Sequence, residues 1–252
     1  MDVTFEHIYT DASLAYETNL FCHYEFLEVL EMYDSNFIRF KKMPKLKQLI
    51  EAENYIKEVH AKRGQKHVKF VFPQDLVLRE DIESYLQTQG YEINGLQLYI
   101  IEPAQFKQSS SFNGTVAFVT QQTLAEFCEF HYSDALKFGE AYATQKSEKL
   151  KKDFELNRKY QIIAKLTDGT VVGAVEIIKS ENYAEIDSLF VLQEYQKQGI
   201  GTAIQQFVMN EFKDKQIILV TESDNTARHM YVKQGYIHKG FQQNALKNDF
   251  TI

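Results

Sequence analysis

An α/β fold is predicted for this chain of 252 residues by three features. Strand-like and helix-like apolar patterns alternate along most of its length. Residues 186–192 are rich in branched and aromatic side chains and read as a buried strand. A polar turn over 193–198 follows, and Gly199 and Gly201 lead into a helix whose Ile204, Phe207, Val208 and Phe212 recur at helical spacing. Residues 160–166 and 171–178 read as a hairpin about Asp168-Gly169, a dipeptide suited to a tight turn.

Hydrophobic residues make up 44% of the chain and charged residues 25%, the proportions of a soluble globular protein of one or two domains. No apolar run approaches the ~20 residues that span a bilayer, and no basic-then-apolar signal pattern opens the N-terminus, so no membrane partner is expected. Cys22 and Cys128 sit in helical patterns and suggest neither a disulfide framework nor a zinc site. No His/Cys/Asp cluster has metal spacing, so no metal is expected and a reducing cytoplasm is the simplest setting. The formal charge of −7 disfavours nucleic acid as a partner and is compatible with a cationic one.

Taken in order, residues 3–9 read as a short strand. Asp11 then caps a helix bearing Leu20, Tyr24, Leu27 and Leu30 on one face. A strand at 37–40 is followed by a helix that Pro44 opens and Gly64 ends, with Leu46, Leu49, Ile50, Ile56 and Val59 along it. A strand at 68–72, a helix at 79–89 and a strand at 96–101 complete the first half. Residues 102–113, with Pro103 and three consecutive serines, have linker composition. The second half opens with a strand at 115–120 and a helix presenting Leu124, Phe127 and Cys128. Ser133 is read as the cap of a longer helical region reaching about residue 157. The hairpin, the strand at 186–192 and its helix come next, then a strand at 216–221, a helix from Asn225 to Gly235 and a strand at 236–241. The last ten residues are polar and ambiguous.

A strand, a glycine turn and a helix start together make an anion site. Glycine lets the backbone approach a ligand, and the unpaired N–H groups at the positive end of the helix dipole favour phosphate. A dinucleotide fingerprint would need a third glycine, and a triphosphate loop would need G-K-[ST]; neither is present. Gln196-x-x-Gly199-x-Gly201 resembles the Q/R-x-x-G-x-G/A motif of the GNAT acyltransferases. Roughly 25 residues further on, Asn225-Thr-Ala-Arg-His-Met-Tyr231-Val-Lys-Gln-Gly235-Tyr236 is similar to that family's N-x-A-x-x-x-Y-x-x-x-G-F/Y segment. The likeness covers about residues 112–252. It implies the GNAT acyltransferase fold, a mixed central sheet flanked by helices, and the use of acetyl-coenzyme A as co-substrate.

Laid against the second half, the first half shows a weak internal repeat. Gln89-Gly90-Tyr91 mirrors Gln234-Gly235-Tyr236, each after strand, long helix, strand and amphipathic helix. The chemistry of the second half has no counterpart there: Lys41 to Lys45 stands in place of the glycine loop, and Leu86 in place of Tyr231. The expected organisation is therefore a degenerate GNAT-like scaffold over 1–105, a linker over 106–112 and a GNAT N-acetyltransferase domain over 113–252.

Moving an acyl group from a thioester to an amine needs a base for the acceptor, donors for the oxyanion and a proton for the leaving thiolate. Tyr183-Ala184-Glu185-Ile186 resembles the Phe-Ala-Glu-Ile of histone acetyltransferases, which makes Glu185 the candidate base. Asp187, two residues on and facing the same way, is a second catalytic candidate; together the pair would hold a cation and raise one carboxylate's pKa. Both are also ordinary strand-edge charges. The resemblance gives Tyr231 the role of acid beside the sulfur, against the plain alternative of a packed helix tyrosine. It gives Val191 backbone contacts to the pantetheine arm, and Gln196, Gln198, Gly199, Ile200, Gly201 and Thr202 the pyrophosphate. Glutamine at 196 and 198 brings less positive charge than the arginine of many relatives. Asn225 is a helix cap or a coenzyme contact, and Arg228 a contact to the 3′-phosphate or solvated surface. His131 and Tyr132 lie where the family forms its acceptor pocket, but a lone histidine is more often structural and is left out of the site.

Direct transfer in a ternary complex is expected, to a small-molecule or peptide amine, in a chain compatible with a homodimer. The rival readings are a non-catalytic acyl-coenzyme A-binding module and an aminoacyl transferase of the paired-GNAT type.

Overall fold

The computed structural model describes residues 2–107, 110–223 and 225–250, with the side chains of 225–227 outside that description. In chain order the elements are β1 (Ser13–Glu17), β2 (Phe21–Glu25), β3 (Phe37–Phe40), α1 (Leu46–Ala61), β4 (His67–Val71), α2 (Glu80–Thr88), β5 (Glu92–Ile101) and β6 (Gly114–Phe118). They continue with α3 (Leu124–Ala135), α4 (Glu140–Glu155), β7 (Tyr160–Leu166), β8 (Val171–Lys179), β9 (Tyr183–Val191), α5 (Ile200–Glu211), β10 (Gln216–Glu222), α6 (Asn225–Gln234) and β11 (Ile237–Asn248). The mixed α/β class is as expected. Among the described residues no helix is long and apolar enough to cross a membrane.

Contacts group the chain into two compact units. The first is Met1–Leu98 with Thr221–Asp224 and Lys239–Ile252; the second is Tyr99–Val220 with Asn225–His238. This grouping differs from the division at 106–112 read from composition, because the chain's last strand returns to the first unit. There β11 pairs antiparallel with β4, Asn244 opposite Val71, so residues 243–248 of the ambiguous C-terminal stretch are sheet.

In the first unit β1, β2 and β3 run antiparallel and β3 pairs parallel with β4. The helix expected after Asp11 is a hairpin instead. Thr18 Oγ1 accepts the N–H groups of Leu20 and Phe21, a local bond that closes a turn and outcompetes a helix start. Leu27, assigned to the buried helical face, is 60% exposed, and Cys22 lies on a strand. The strand expected at 3–9 is a 3₁₀ turn at Phe5–His7, where the His7 ring accepts the Thr4 N–H. Ile38, Phe40, Leu49, Ile56, Phe70 and Ile82 fill the core.

The second unit carries the order β6-β7-β8-β9-β10, antiparallel up to β9 and parallel from β9 to β10. Alternate residues separate its two faces. Ile163 and Ala174 pack with Phe127, Phe130 and Leu150 of α3 and α4, while Ile162, Val175 and Ile186 pack with Ile204 and Val208 of α5. Ser133 is inside α3, its hydroxyl donating to the Glu129 carbonyl, and does not cap a helix. Gly139, at φ +108°, is the residue that opens α4.

The repeated Gly-Tyr segments share a local geometry. After α2, Gly90 at φ +78° is followed by a bond from Tyr91 N–H to the Leu86 carbonyl; after α6, Gly235 at φ +100° is followed by one from Tyr236 to Tyr231. Each tyrosine then donates its hydroxyl at 2.9 Å to the long helix before it, Tyr91 to Glu53 of α1 and Tyr236 to Gln205 of α5.

Candidate active site

The site begins where β9 leaves β10. Their pairing runs from Tyr183 opposite Gln216 to Ile186 opposite Leu219 and stops there, although both strands continue. Ser188 follows at φ +53°, an uncommon conformation for a residue with a side chain. At this point the register with β8 jumps from Glu176 opposite Asp187 to Ala174 opposite Phe190, which is a β-bulge. The bulge reverses the alternation, so that Leu189 and Val191 join the α5 face and Phe190 the α3–α4 face. Beyond Ile186 the edge of β9 that faced β10 carries unpaired backbone.

The glycine turn lies at the end of this edge. Gly199 is in the left-handed region at φ +82°, and its carbonyl accepts the Ala203 N–H, the first turn of α5. The amides of Ile200, Gly201 and Thr202 therefore have no acceptor within the helix. Ser110 Oγ donates to the Gly199 carbonyl at 2.7 Å and steadies the turn from its other side. A Cβ added at Gly201 would meet, among the described residues, only Val191 Cγ2, at 4.0 Å, so there is room at Gly201. Ile200 itself is 2% exposed, its side chain in the core. Gln196 and Gln198 behave differently from the expectation of phosphate contacts. Their side-chain amides donate to the carbonyls of Val191 and Glu194, at 3.1 Å each, and brace the loop. The Val191 carbonyl is thus already engaged.

Glu185 and Asp187 precede the bulge on the α3–α4 face. Glu185 is buried, its backbone opposite Ile178 on one side and Ile218 on the other. Asp187 ends a polar row that crosses three strands in direct register, Gln161 to Glu176 to Asp187. Lys159, just before β7, reaches Asp187 Oδ2 at 3.0 Å and Glu176 Oε2 at 3.5 Å. The expected pair with one raised carboxylate is therefore not what forms around Asp187. Burial opposes its ionisation, but the Lys159 ammonium and the Ser188 hydroxyl outweigh burial and hold its pKa below the usual range. Glu176 shows the opposite balance: burial pushes its carboxyl up against the pull of Lys159. Sequence reasoning missed both partners. Nothing local sets Lys159 apart from the other charges before that strand, whereas Glu176, the lone charge in the apolar run over 171–178, was a signal that could have been used. His131, buried against Phe127 with ring centroids 4.6 Å apart, is pushed down to about 4 chiefly by burial, in keeping with a structural histidine.

Tyr231 projects from α6 into an aromatic cluster, 5.5 Å from Tyr99 and 5.3 Å from Tyr236 between ring centroids. Burial, with Tyr99 beside it, pushes its phenol up to about 12, so it is protonated at neutral pH. Arg228, one turn earlier, is exposed. Asn225 begins α6, but its side chain lies outside the described residues. No group of three metal-ligating side chains occurs among the described residues.

A strand, a glycine turn and a helix start stand together here, beside a bulge at which β9 parts from its parallel neighbour. Residues 120–250, just over half of the chain, match the model of the acetyltransferase (GNAT) domain. The chain belongs to the GNAT family. Residues 3–99 match a domain of unknown function, DUF5613. The GNAT chain superposes with a TM-score of 0.90, at 29% identity and over 98% of both chains, on a functionally unknown conserved protein from Staphylococcus epidermidis ATCC 12228. It shares its fold with a GCN5-related N-acetyltransferase from Kribbella flavida, at a TM-score of 0.60 and 14% identity over 94% of this chain and 89% of that one. A tandem GNAT protein from the clavulanic acid biosynthesis pathway matches at 0.52 and 12% identity over 86% and 76% of the two chains. No curated protein matches.

Proposed function

We propose that this GNAT protein moves an acetyl group from acetyl-coenzyme A to a primary amine, directly and within a ternary complex. The observation that carries the reading is the parting of β9 from β10 at Ile186, which leaves strand backbone unpaired and leads to the open amides of Ile200, Gly201 and Thr202. These groups fit an extended ligand ending in phosphate: strand edge for the amide-bearing arm, helix start for the pyrophosphate. Space at Gly201 lets a phosphate reach the backbone. When bound, acetyl-coenzyme A supplies the activated thioester.

The chain's own residues supply the proton traffic. Glu185 takes the proton that the acceptor ammonium must lose, and burial excludes competing water from it. Tyr231, protonated at neutral pH, gives its proton to the departing sulfur. Asp187, kept ionised by Lys159, adds fixed negative charge at the acceptor side. Residues 1–105 act as a degenerate GNAT-like scaffold in this reading. The matched bonds of Tyr91 to Glu53 and Tyr236 to Gln205 support that assignment.

The test is a calorimetric titration with coenzyme A, followed by thiol release from acetyl-coenzyme A across a panel of amines. One coenzyme site per chain and amine-dependent thiol release are expected. Binding without release would favour a non-catalytic acyl-coenzyme A module, and absence of binding would overturn the reading.

A further inference from the structure

Tyr99 precedes the residues that match the GNAT domain, 120–250, yet it is an aromatic neighbour of Tyr231. It lies in β5, where the chain enters the second unit. There it is fully buried in the same apolar cluster as Tyr231, Tyr236, Ile217 and Leu219. The three tyrosine hydroxyls of this cluster have different fates. Tyr236 donates to Gln205, Tyr231 keeps 9% exposure, and Tyr99's hydroxyl is shut off from solvent without a hydrogen-bond partner among the described residues. Native proteins rarely leave a buried O–H without an acceptor, and phenylalanine would fill this space without that penalty. The ring of His238 stands edge-on to Tyr99, with centroids 5.3 Å apart. Burial raises the Tyr99 phenol against the opposing charge of Arg228, so it remains a donor at neutral pH.

We propose that Tyr99 is a positioning residue for the acyl-transfer site: its orphan hydroxyl donates a hydrogen bond to the Tyr231 oxygen as that oxygen loses its proton. This rests on Tyr231 being the acid of the proposed reaction. The proton balance is simple. The Tyr231 O–H bond breaks as an S–H bond forms on the leaving sulfur, and the phenolate keeps the electron pair. Tyr99 retains its own proton and shares it with that phenolate, and Tyr231 regains a proton from solvent. A phenol held up at about 12 is a reluctant acid in an apolar cluster. The Tyr99 hydroxyl is committed to no other acceptor among the described residues, so it can turn to the Tyr231 oxygen as charge develops there.

Coenzyme A alone tests the proposal, without an acceptor. A tyrosine that donates to the bound thiolate lowers the thiol pKa, which ultraviolet thiolate absorbance follows with pH. Wild type, Tyr99→Phe, Tyr231→Phe and the double variant form a cycle. Relative to wild type, Tyr231→Phe is expected to raise the bound thiol's pKa by about one unit and Tyr99→Phe by about half as much. The double variant is expected to match Tyr231→Phe. A melting temperature of Tyr99→Phe at or above wild type would show that the shift is not a loss of structure. Superimposable curves for wild type and Tyr99→Phe, or an equal Tyr99→Phe shift in both Tyr231 backgrounds, would overturn the proposal. Failure of wild type to bind coenzyme A would overturn the coenzyme site itself and the role of Tyr99 with it.

Discussion

Lys159 holds Asp187 at 3.0 Å and, through the same ammonium, reaches Glu176 on the neighbouring strand at 3.5 Å. Lys159→Met keeps the stem and removes the charge, leaving two carboxylates facing each other across β8 and β9. Breaking a buried pair from one side typically costs about 3–5 kcal/mol, and the 35% exposure of the Asp187 side chain places this case at the lower end. The acid dependence has a definite sign. Asp187 has a folded-state pKa below its ordinary 3.8, so its stabilisation is present above that value and lost as pH falls through the folded pKa. Urea unfolding is expected to show a large gap between wild type and Lys159→Met at pH 7 that narrows below about pH 4. A constant gap would mean that Lys159 stabilises by packing alone.

A different acid response is expected from the first unit. His60 sits between two other buried histidines, with ring centroids 6.1 Å from His23 and 4.6 Å from His67. Burial is the main cause that pushes His23 and His67 down to about 4, and His60 is lowered too. The charges nearby divide in sign: Arg63 and Lys69 push these values lower, and Glu25 and Asp34 oppose them. A neutral buried histidine stabilises above its unfolded pKa of ~6.5, and that contribution is lost as pH falls from there towards the folded value. Each fully shifted histidine therefore adds about 1.4 kcal/mol of lost stability per pH unit across this window. Thermal melts followed by circular dichroism should fall steeply between pH 6.5 and 4.5, and His23→Phe should make that slope shallower. An unchanged slope in His23→Phe would remove His23 from the account.

Much of the second half was legible because its signals are local. Asp168-Gly169 sets the turn between β7 and β8, and the helical spacing after Gly199 marks α5. The bulge at Ser188 was not legible, since nothing in Asp-Ser-Leu-Phe announces a positive φ. The register of β9 against β8 imposes it. The same holds for Lys159, whose role appears only when β7, β8 and β9 are aligned. In the first half the spacing of Leu20, Tyr24 and Leu27 fits a helix, but the Thr18 hydroxyl and pairing with β3 stabilise a hairpin. Tyr99 read simply as one apolar strand residue. Its neighbour Tyr231 is more than a hundred residues away in the sequence.

Gly201→Ala is a sharper probe of the coenzyme loop than any change at Gly199. At Gly199 a side chain would strain the backbone at φ +82° and approach Ser110 Oγ to 3.1 Å, so lost binding there could reflect a damaged turn. A Cβ at Gly201 meets nothing closer than 4.0 Å and sits in helix-compatible backbone. The melting temperature should hold or rise slightly, as alanine favours a helix over glycine. The added methyl does, however, stand where a phosphate would approach the amides. Coenzyme A affinity measured by calorimetry is expected to fall roughly 10-fold, about 1.4 kcal/mol. Unchanged affinity would move the phosphate away from this turn.

The two carboxylates before the bulge should separate cleanly in kinetics. Asp187 is held ionised by Lys159, so its affinity for a proton at neutral pH is low and it makes a poor general base. Glu185 is buried on the same face. Glu185→Gln preserves shape and hydrogen-bonding capacity and removes only the basic oxygen. A loss of about 10²–10⁴-fold in turnover is expected at neutral pH, the usual scale of general-base catalysis. Part of that loss should return as pH rises, because more of the acceptor amine is then neutral without help. Asp187→Asn should act mainly on KM for a cationic acceptor, with a smaller effect on turnover. The decisive comparison is the pH–rate profile of each variant against wild type. If Glu185→Gln follows the wild-type profile while Asp187→Asn loses its acidic limb, the base assignment passes to Asp187, and Lys159 becomes the group that tunes it.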